Sequence, residues 1–162
     1  MVSVARRNAR SWTVDRLIYN AAIAPEELPV TAQERIEHAK TRITKLVFPQ
    51  DTNPIGTLYG GTAMKWMDEV AFLAATRFAR RQVVTVSMDR VDFKVPIPEG
   101  AIVELIGEVI RVGNTSVTAR VQILREDPLS GGQELAIEGE LVLVAVDREM
   151  KPVPVLTISD GV

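Results

Sequence analysis

The sequence predicts an α+β domain in which one long helix is wrapped by a curved, largely antiparallel five-stranded sheet. Three observations lead there. A helical run over about residues 61–79 puts Met64, Met67, Val70, Ala71, Ala74, Ala75 and Phe78 on one broad apolar arc. After Arg80-Arg81-Gln82 the apolar period changes from 3.6 to two and stays there to about residue 146. Turn signals such as Gly113-Asn114 divide that stretch into pieces joined by hairpin-like connections. A helix and a sheet each carrying one apolar face must bury one another.

Thr31 opens a short polar helix through Lys40, with Thr31 as cap and Glu34 three positions later. Thr41 to Phe48 reads as the first strand, with Ile43, Val47 and Phe48 supplying apolar surface. Pro49 to Gly56 is a loop by composition, and Gly60-Gly61 precedes the long helix. The alanine-rich arc of that helix suits close packing on a sheet. Trp66 and Leu73 form a second apolar edge, suited to the N-terminal arm or another subunit.

In the next strand Val84, Val86 and Met88 share one face, whereas Val91, Phe93 and Val95 continue in the opposite phase. That slip near Asp89-Arg90 predicts a bulge or bend. Strands follow at Ala101 to Val112, Thr115 to Leu124 and Leu135 to Val146. In the second of these Val117, Ala119, Val121 and Ile123 alternate with Thr118, Arg120 and Gln122. Apolar residues on both faces of the 101–112 strand imply that both faces are covered, most economically in a homo-oligomer. Residues 1–40 read as an N-terminal extension, with Trp12, Leu17, Ile18 and Tyr19 as anchors; 41–156 read as the folded domain and 157–162 as a tail.

Composition narrows the chemistry. With 162 residues, 46% hydrophobic and 25% charged, the chain can build one ordinary core. A net charge of -2 gives no reason to expect nucleic acid as a partner. There is no cysteine and only one histidine, His38, so no metal centre or histidine-based triad is expected. No apolar run is long enough for a transmembrane helix, and a cytoplasmic location is the default expectation. The basic start, with Arg6, Arg7 and Arg10, permits an organelle-targeting reading but suits an extended arm better; it is not a secretory signal.

Carboxylates, amides, hydroxyls and backbone N–H groups must then carry any catalysis. Asp68 is the most informative candidate: an aspartate inside a helix, beyond the reach of N-terminal capping. One reading makes it a rim residue, hydrated or paired with Lys65 or Arg77. The other makes it a general base beside a cleft. Gly60-Gly61 sharpens the second, since a glycine helix start exposes N–H groups to a closely approaching carbonyl. Asn53 is either a turn starter or a site amide. Asp89 and Asp92 fit framework roles, and the pairs Glu104/Glu108 and Glu138/Glu140 share strand faces without metal-binding partners.

The run Asn53-Pro54-Ile55-Gly56-Thr57-Leu58-Tyr59-Gly60-Gly61, followed by Trp66-Met67-Asp68-Glu69, resembles the hotdog-fold acyl-CoA thioester hydrolases, most closely their cytosolic broad- or long-chain branch. The likeness continues through Val83 to Phe93, Pro96 to Gly100, Arg111 to Ser116, and Val144 to Pro154. It implies a hotdog fold and an acyl-CoA thioesterase with sites between paired subunits and no resident cofactor, CoA being part of the substrate. It further implies Asp68 as general base or nucleophile, Asn53 supplied across the pair, and the Gly61 N–H on the thioester carbonyl. Dimers would assemble as trimers of dimers, giving a hexamer. Two departures stand out: Tyr59 where relatives often carry histidine or phenylalanine, and Asn114 where they often carry arginine. For the CoA moiety the candidates are Arg81, Arg90, Asn114, Thr115, Ser116 and Lys151. A hydratase or dehydratase on the same fold, and a non-catalytic acyl-CoA-binding sensor, are the alternatives.

Overall fold

The computed structural model describes residues 31–156. The expected anchors Trp12, Leu17, Ile18 and Tyr19, the basic start and the 157–162 tail lie outside the described residues. Helix α1 (Ala32–Ala39) precedes strand β1 (Thr41–Leu46); helix α2 (Gly60–Ala79) is followed by β2 (Gln82–Phe93), β3 (Ile102–Val112), β4 (Ser116–Glu126) and β5 (Gln133–Val146). The strands form one antiparallel sheet in the order β1-β3-β4-β5-β2, which leaves β1 and β2 as its edges. This is the hotdog arrangement, a long helix lying in the hollow of a five-stranded sheet.

The approach of α2 to the sheet is set by glycine. Gly107, Val121 and Gly139 stand in register across β3, β4 and β5. A methyl group built on Gly107 would lie 2.6 Å from Val70 Cγ1 and 3.0 Å from the Val70 carbonyl; one built on Gly139 would lie 2.8 Å from Met67 Cε. The helix therefore settles into a furrow that only hydrogen at those two positions leaves open. Around it Met67, Val70, Ala71, Ala74, Ala75 and Phe78 are fully buried, as their spacing predicts. Met64, assigned to the same arc, is instead 40% exposed, and Ala63, Trp66 and Ala79 are buried in its place. Of the second apolar edge, Trp66 is buried, with Lys45 Nζ 5.1 Å above its ring, while Leu73 is 36% exposed.

Strand β4 keeps its predicted alternation, with Val117, Ala119, Val121 and Ile123 all buried against the helix. Strand β2 departs from expectation. Its register slips twice, between Thr85 and Ser87 and between Asp89 and Asp92. The second slip is the anticipated bulge, with Arg90 in a left-handed backbone conformation (φ 51°). The first splits residues assigned to one face: Val84 precedes the bulge and Met88 follows it, while Val83 is buried and Val86, in the bulge, is 56% exposed. Asp89 and Asp92 then oppose Glu140 and Glu138, which share a face, so the bulge turns both aspartates to the same side. On the sheet's far face Arg42 pairs with Glu104 at 3.0 Å and Gln122 donates to Glu138 at 2.7 Å.

Candidate active site

The two helices begin differently. In α1, Thr31 Oγ1 accepts from the Glu34 N–H at 3.2 Å and Glu34 Oε2 accepts from the Thr31 N–H at 2.9 Å, a complete capping box. In α2 the cap position is Tyr59, whose side chain makes no cap hydrogen bond, and the first turn carries no acid. The first bond of the helix runs from Ala63 N–H to the Tyr59 carbonyl at 3.0 Å. The N–H groups of Gly60, Gly61 and Thr62 therefore point out of the helix end with no capping side chain to receive them. Neither glycine is demanded by the packing of one chain. A methyl on Gly60 would meet the Phe93 ring at 3.6 Å, and one on Gly61 the Tyr59 ring at 3.4 Å, both ordinary contacts.

Asn53 organises the loop leading to this helix end. Its Oδ1 accepts from the N–H groups of Ile55 and Thr57, each at 3.1 Å, and its Nδ2 donates to Thr57 Oγ1 at 2.9 Å. Gly56, at φ 78°, closes the turn by donating to the Asn53 carbonyl at 2.9 Å. The turn reading of Asn53 is what these bonds show. Asn53 is the hub of the turn, and its half-buried amide keeps one N–H beyond those bonds.

Asp68 is half-buried on α2, with the part-exposed Met64 and Phe72 one helical turn to either side. The cations proposed for it are engaged elsewhere. Lys65 lies 3.8 Å from Glu69, and Arg77 donates to Thr41 Oγ1 at 3.0 Å. Asp68 Oδ1 instead accepts from Thr85 Oγ1 at 2.7 Å. The helix places the carboxylate, one hydroxyl from β2 fixes its rotation, and Oδ2 is left to accept from a water molecule.

Thr85 escaped the sequence reading. In the Val83–Ser87 run it reads as ordinary strand surface, and only its shared phase with the buried Val83 hints that it faces α2.

One copy of the chain does not bring Gly61 and Asp68 onto a common atom. Seven residues of helix separate them by about 10 Å, and the open N–H groups point away from Asp68.

The residues assigned to CoA divide. Asn114 accepts from Val155 N–H and Thr115 from Ala145 N–H, each at 2.8 Å, while the Asp147 N–H donates to the Lys151 carbonyl at 3.0 Å. Gln82, next to Arg81, pairs with Val146. Arg81, the Asn114–Thr115–Ser116 turn and Lys151 thus lie at one end of the sheet, with Lys151 Nζ 2.6 Å from Glu149. Arg90 stands roughly 25–30 Å farther along β2. Among the described residues no three His, Cys, Asp or Glu side chains converge as a metal site.

Comparison with known proteins gives consistent matches. Residues 55–131 match the model of the thioesterase superfamily. An uncharacterized acyl-CoA thioester hydrolase of Bacillus subtilis is 42% identical over 119 residues, covering 74% of this chain and 69% of that protein. The acyl-CoA hydrolase of Staphylococcus aureus, solved with butyryl coenzyme A, coenzyme A and coenzyme A disulfide, superposes with a TM-score of 0.72 at 39% identity, over 74% of this chain and 73% of that one. An apo-hexameric acyl-CoA thioesterase gives the same TM-score and identity over 77% and 83%. The S. aureus hydrolase was also solved with an asparagine, an aspartate and a threonine each changed to alanine. The intervals between those three positions equal those separating Asn53, Asp68 and Thr85 here.

Proposed function

The chain belongs to the hotdog-fold acyl-CoA thioesterase family, and from that premise we propose that it hydrolyses an acyl-CoA to free CoA and a carboxylic acid at a site shared by two copies. The observation that carries this reading is the Thr85–Asp68 hydrogen bond, which presents a carboxylate with a free oxygen beside an exposed helix face.

Asp68 takes a proton from water as the water oxygen bonds to the thioester carbonyl carbon. Negative charge gathers on the carbonyl oxygen, where the open N–H of Gly61 receives it. The tetrahedral species collapses by breaking the C–S bond, and CoA leaves as a thiolate, a good enough leaving group to need no strong acid. The separation of Gly61 and Asp68 within one helix is resolved when two copies lie with their α2 helices antiparallel, the N-terminus of one facing Asp68 of the other. Asn53 contributes its remaining Nδ2 hydrogen to the water or to the carbonyl. Arg81, Asn114, Thr115, Ser116 and Lys151 face the CoA phosphates from their common end of the sheet, and the pairs assemble as a trimer of dimers.

The test is a panel of acyl-CoAs assayed for free CoA with wild-type and Asp68→Asn protein. The amide keeps the shape and cannot accept the proton, so turnover falls about 10²–10⁴-fold while assembly and acyl-CoA binding persist. Near-wild-type turnover by the folded variant would reject Asp68 as the base.

A further inference from the structure

A cleft of about 230 Å³ opens beside the α2 N-terminus, with Leu58, Ile97 and Ile137 buried at its base and Phe93, 54% exposed, as its wall. We propose that this cleft receives the acyl chain of the substrate and that Phe93 sets the chain length it admits; the proposal rests on the thioesterase reading above.

The cleft is continuous with the open helix end. The Phe93 ring is the group that a methyl on Gly60 would touch, at 3.6 Å, and Thr57, on the cleft's rim, is the residue bonded by Asn53. A carbonyl held at the Gly60-Gly61 N–H groups therefore has one of its two arms directed along this wall.

Chemistry decides which arm. The pantetheine arm carries amides that need partners, and several polar groups of the wall are engaged already. Leu58 N–H donates to the Ile97 carbonyl at 2.7 Å, and the N–H groups of Lys94 and Val95 both donate to the Ala136 carbonyl. Thr57 Oγ1 takes the Asn53 amide, the Pro96 carbonyl accepts from Arg125, and Lys94 Nζ lies 3.7 Å from Glu138. An amide in this cleft would lose hydrogen bonds that water gave it, whereas an alkyl chain loses none and buries apolar surface.

Size then limits the chain. The volume falls below the roughly 300–1,000 Å³ of ordinary small-molecule sites, which suits a short acyl group more than a long one. Phe93 is the movable part of that limit, since its ring is half in solvent while Ile97 and Ile137 are fixed in the core.

The experiment measures kcat/KM for straight-chain acyl-CoAs from acetyl to palmitoyl with wild-type, Phe93→Ala and Phe93→Trp proteins, each verified for melting and oligomeric mass. The wild type should favour the short members. Phe93→Ala should raise the long-to-short ratio about tenfold or more, and Phe93→Trp should lower it, as a change in pocket length does. If Phe93→Ala fails to fold, Phe93→Leu takes its place and should move the ratio the same way by less. Hydrolysis with a length profile unmoved by these variants, or scaled equally at every length, would overturn the role of the cleft and leave the hydrolase intact. A wild type that releases CoA from no member of the series would overturn the hydrolase reading and the cleft together.

Discussion

Thr85 and Asp68 stand 17 residues apart in sequence, yet the Thr85 hydroxyl donates to Asp68 Oδ1 at 2.7 Å, tying edge strand β2 to the middle of α2. The bond uses one carboxylate oxygen and orients the other. It also explains why β2 carries a polar residue in the phase of the buried Val83.

Thr85→Val should therefore lower kcat by about 10–100-fold, since a hydrogen bond to a charged group is worth about 1.5–3 kcal/mol. KM should change little, and Thr85→Ser, which restores the hydroxyl, should recover most of the rate. Steady-state kinetics on both variants, beside melting curves, check this. A purely structural threonine would shift melting and leave kcat of the folded enzyme unchanged.

The furrow under α2 makes a prediction about stability. Gly107→Ala places a methyl against the Val70 side chain and, at 3.0 Å, its backbone carbonyl; Gly139→Ala presses first on Met67 Cε, the end of a flexible chain. Overpacking of this kind costs about 1–3 kcal/mol, with Gly107→Ala at the upper end and Gly139→Ala below it because methionine can turn aside. Urea denaturation of the two variants measures the order. Equal losses would show that the helix shifts as a body to make room for either methyl.

How far such relationships can be read in advance depends on whether they are periodic or three-dimensional. Helix α2 and the alternation of β4 follow from residue spacing, because burial on one face repeats every 3.6 or two residues. Met64 lies on the predicted arc yet outside the buried part, because an arc on a wheel does not show how much of it the sheet covers. Val84 and Val86 do not share a face with Met88, because an unseen bulge before Ser87 shifts every side chain after it. Asp68 and the Gly60-Gly61 helix start stood out because each breaks a local preference. Thr85 breaks none, and its partner comes from another element. Arg90 shares only its charge with Arg81 and Lys151, and charge carries no information about position along β2.

That division is itself open to measurement. Arg81→Ala and Lys151→Ala each remove a cation from the sheet end that holds Asn114, Thr115 and Ser116. Each should raise KM for an acyl-CoA by about 3–10-fold, the range for exposed charge-assisted contacts, and leave hydrolysis of the matching acyl-pantetheine almost unaffected. Arg90→Ala, roughly 25–30 Å away along the strand, should not discriminate between the two substrates. An equal loss on both substrates for Arg81→Ala and Lys151→Ala would reject phosphate recognition at this end.

The open start of α2 gives the most direct test of a shared site. Gly61→Pro removes the proposed carbonyl donor, and proline is tolerated in the first helical turn, where no intrahelical bond is lost. Gly60 before it has no Cβ to clash with the new ring. Turnover should fall about 10²–10³-fold, the usual cost of one oxyanion donor. Gly61→Ala keeps the N–H and sets its methyl 3.4 Å from the Tyr59 ring, an ordinary contact, so it should lose far less. Mixing Gly61→Pro with Asp68→Asn then asks where the partner group resides. If Gly61 of one copy serves Asp68 of another, every mixed dimer regains one intact site and one doubly damaged site. Random exchange makes half the dimers mixed, so about a quarter of wild-type turnover should return. Native mass measurements confirm the mixing. Verified mixed dimers without recovered activity would mean that Gly61 and Asp68 act within the same copy, and the antiparallel placement of the two helices would fall with them.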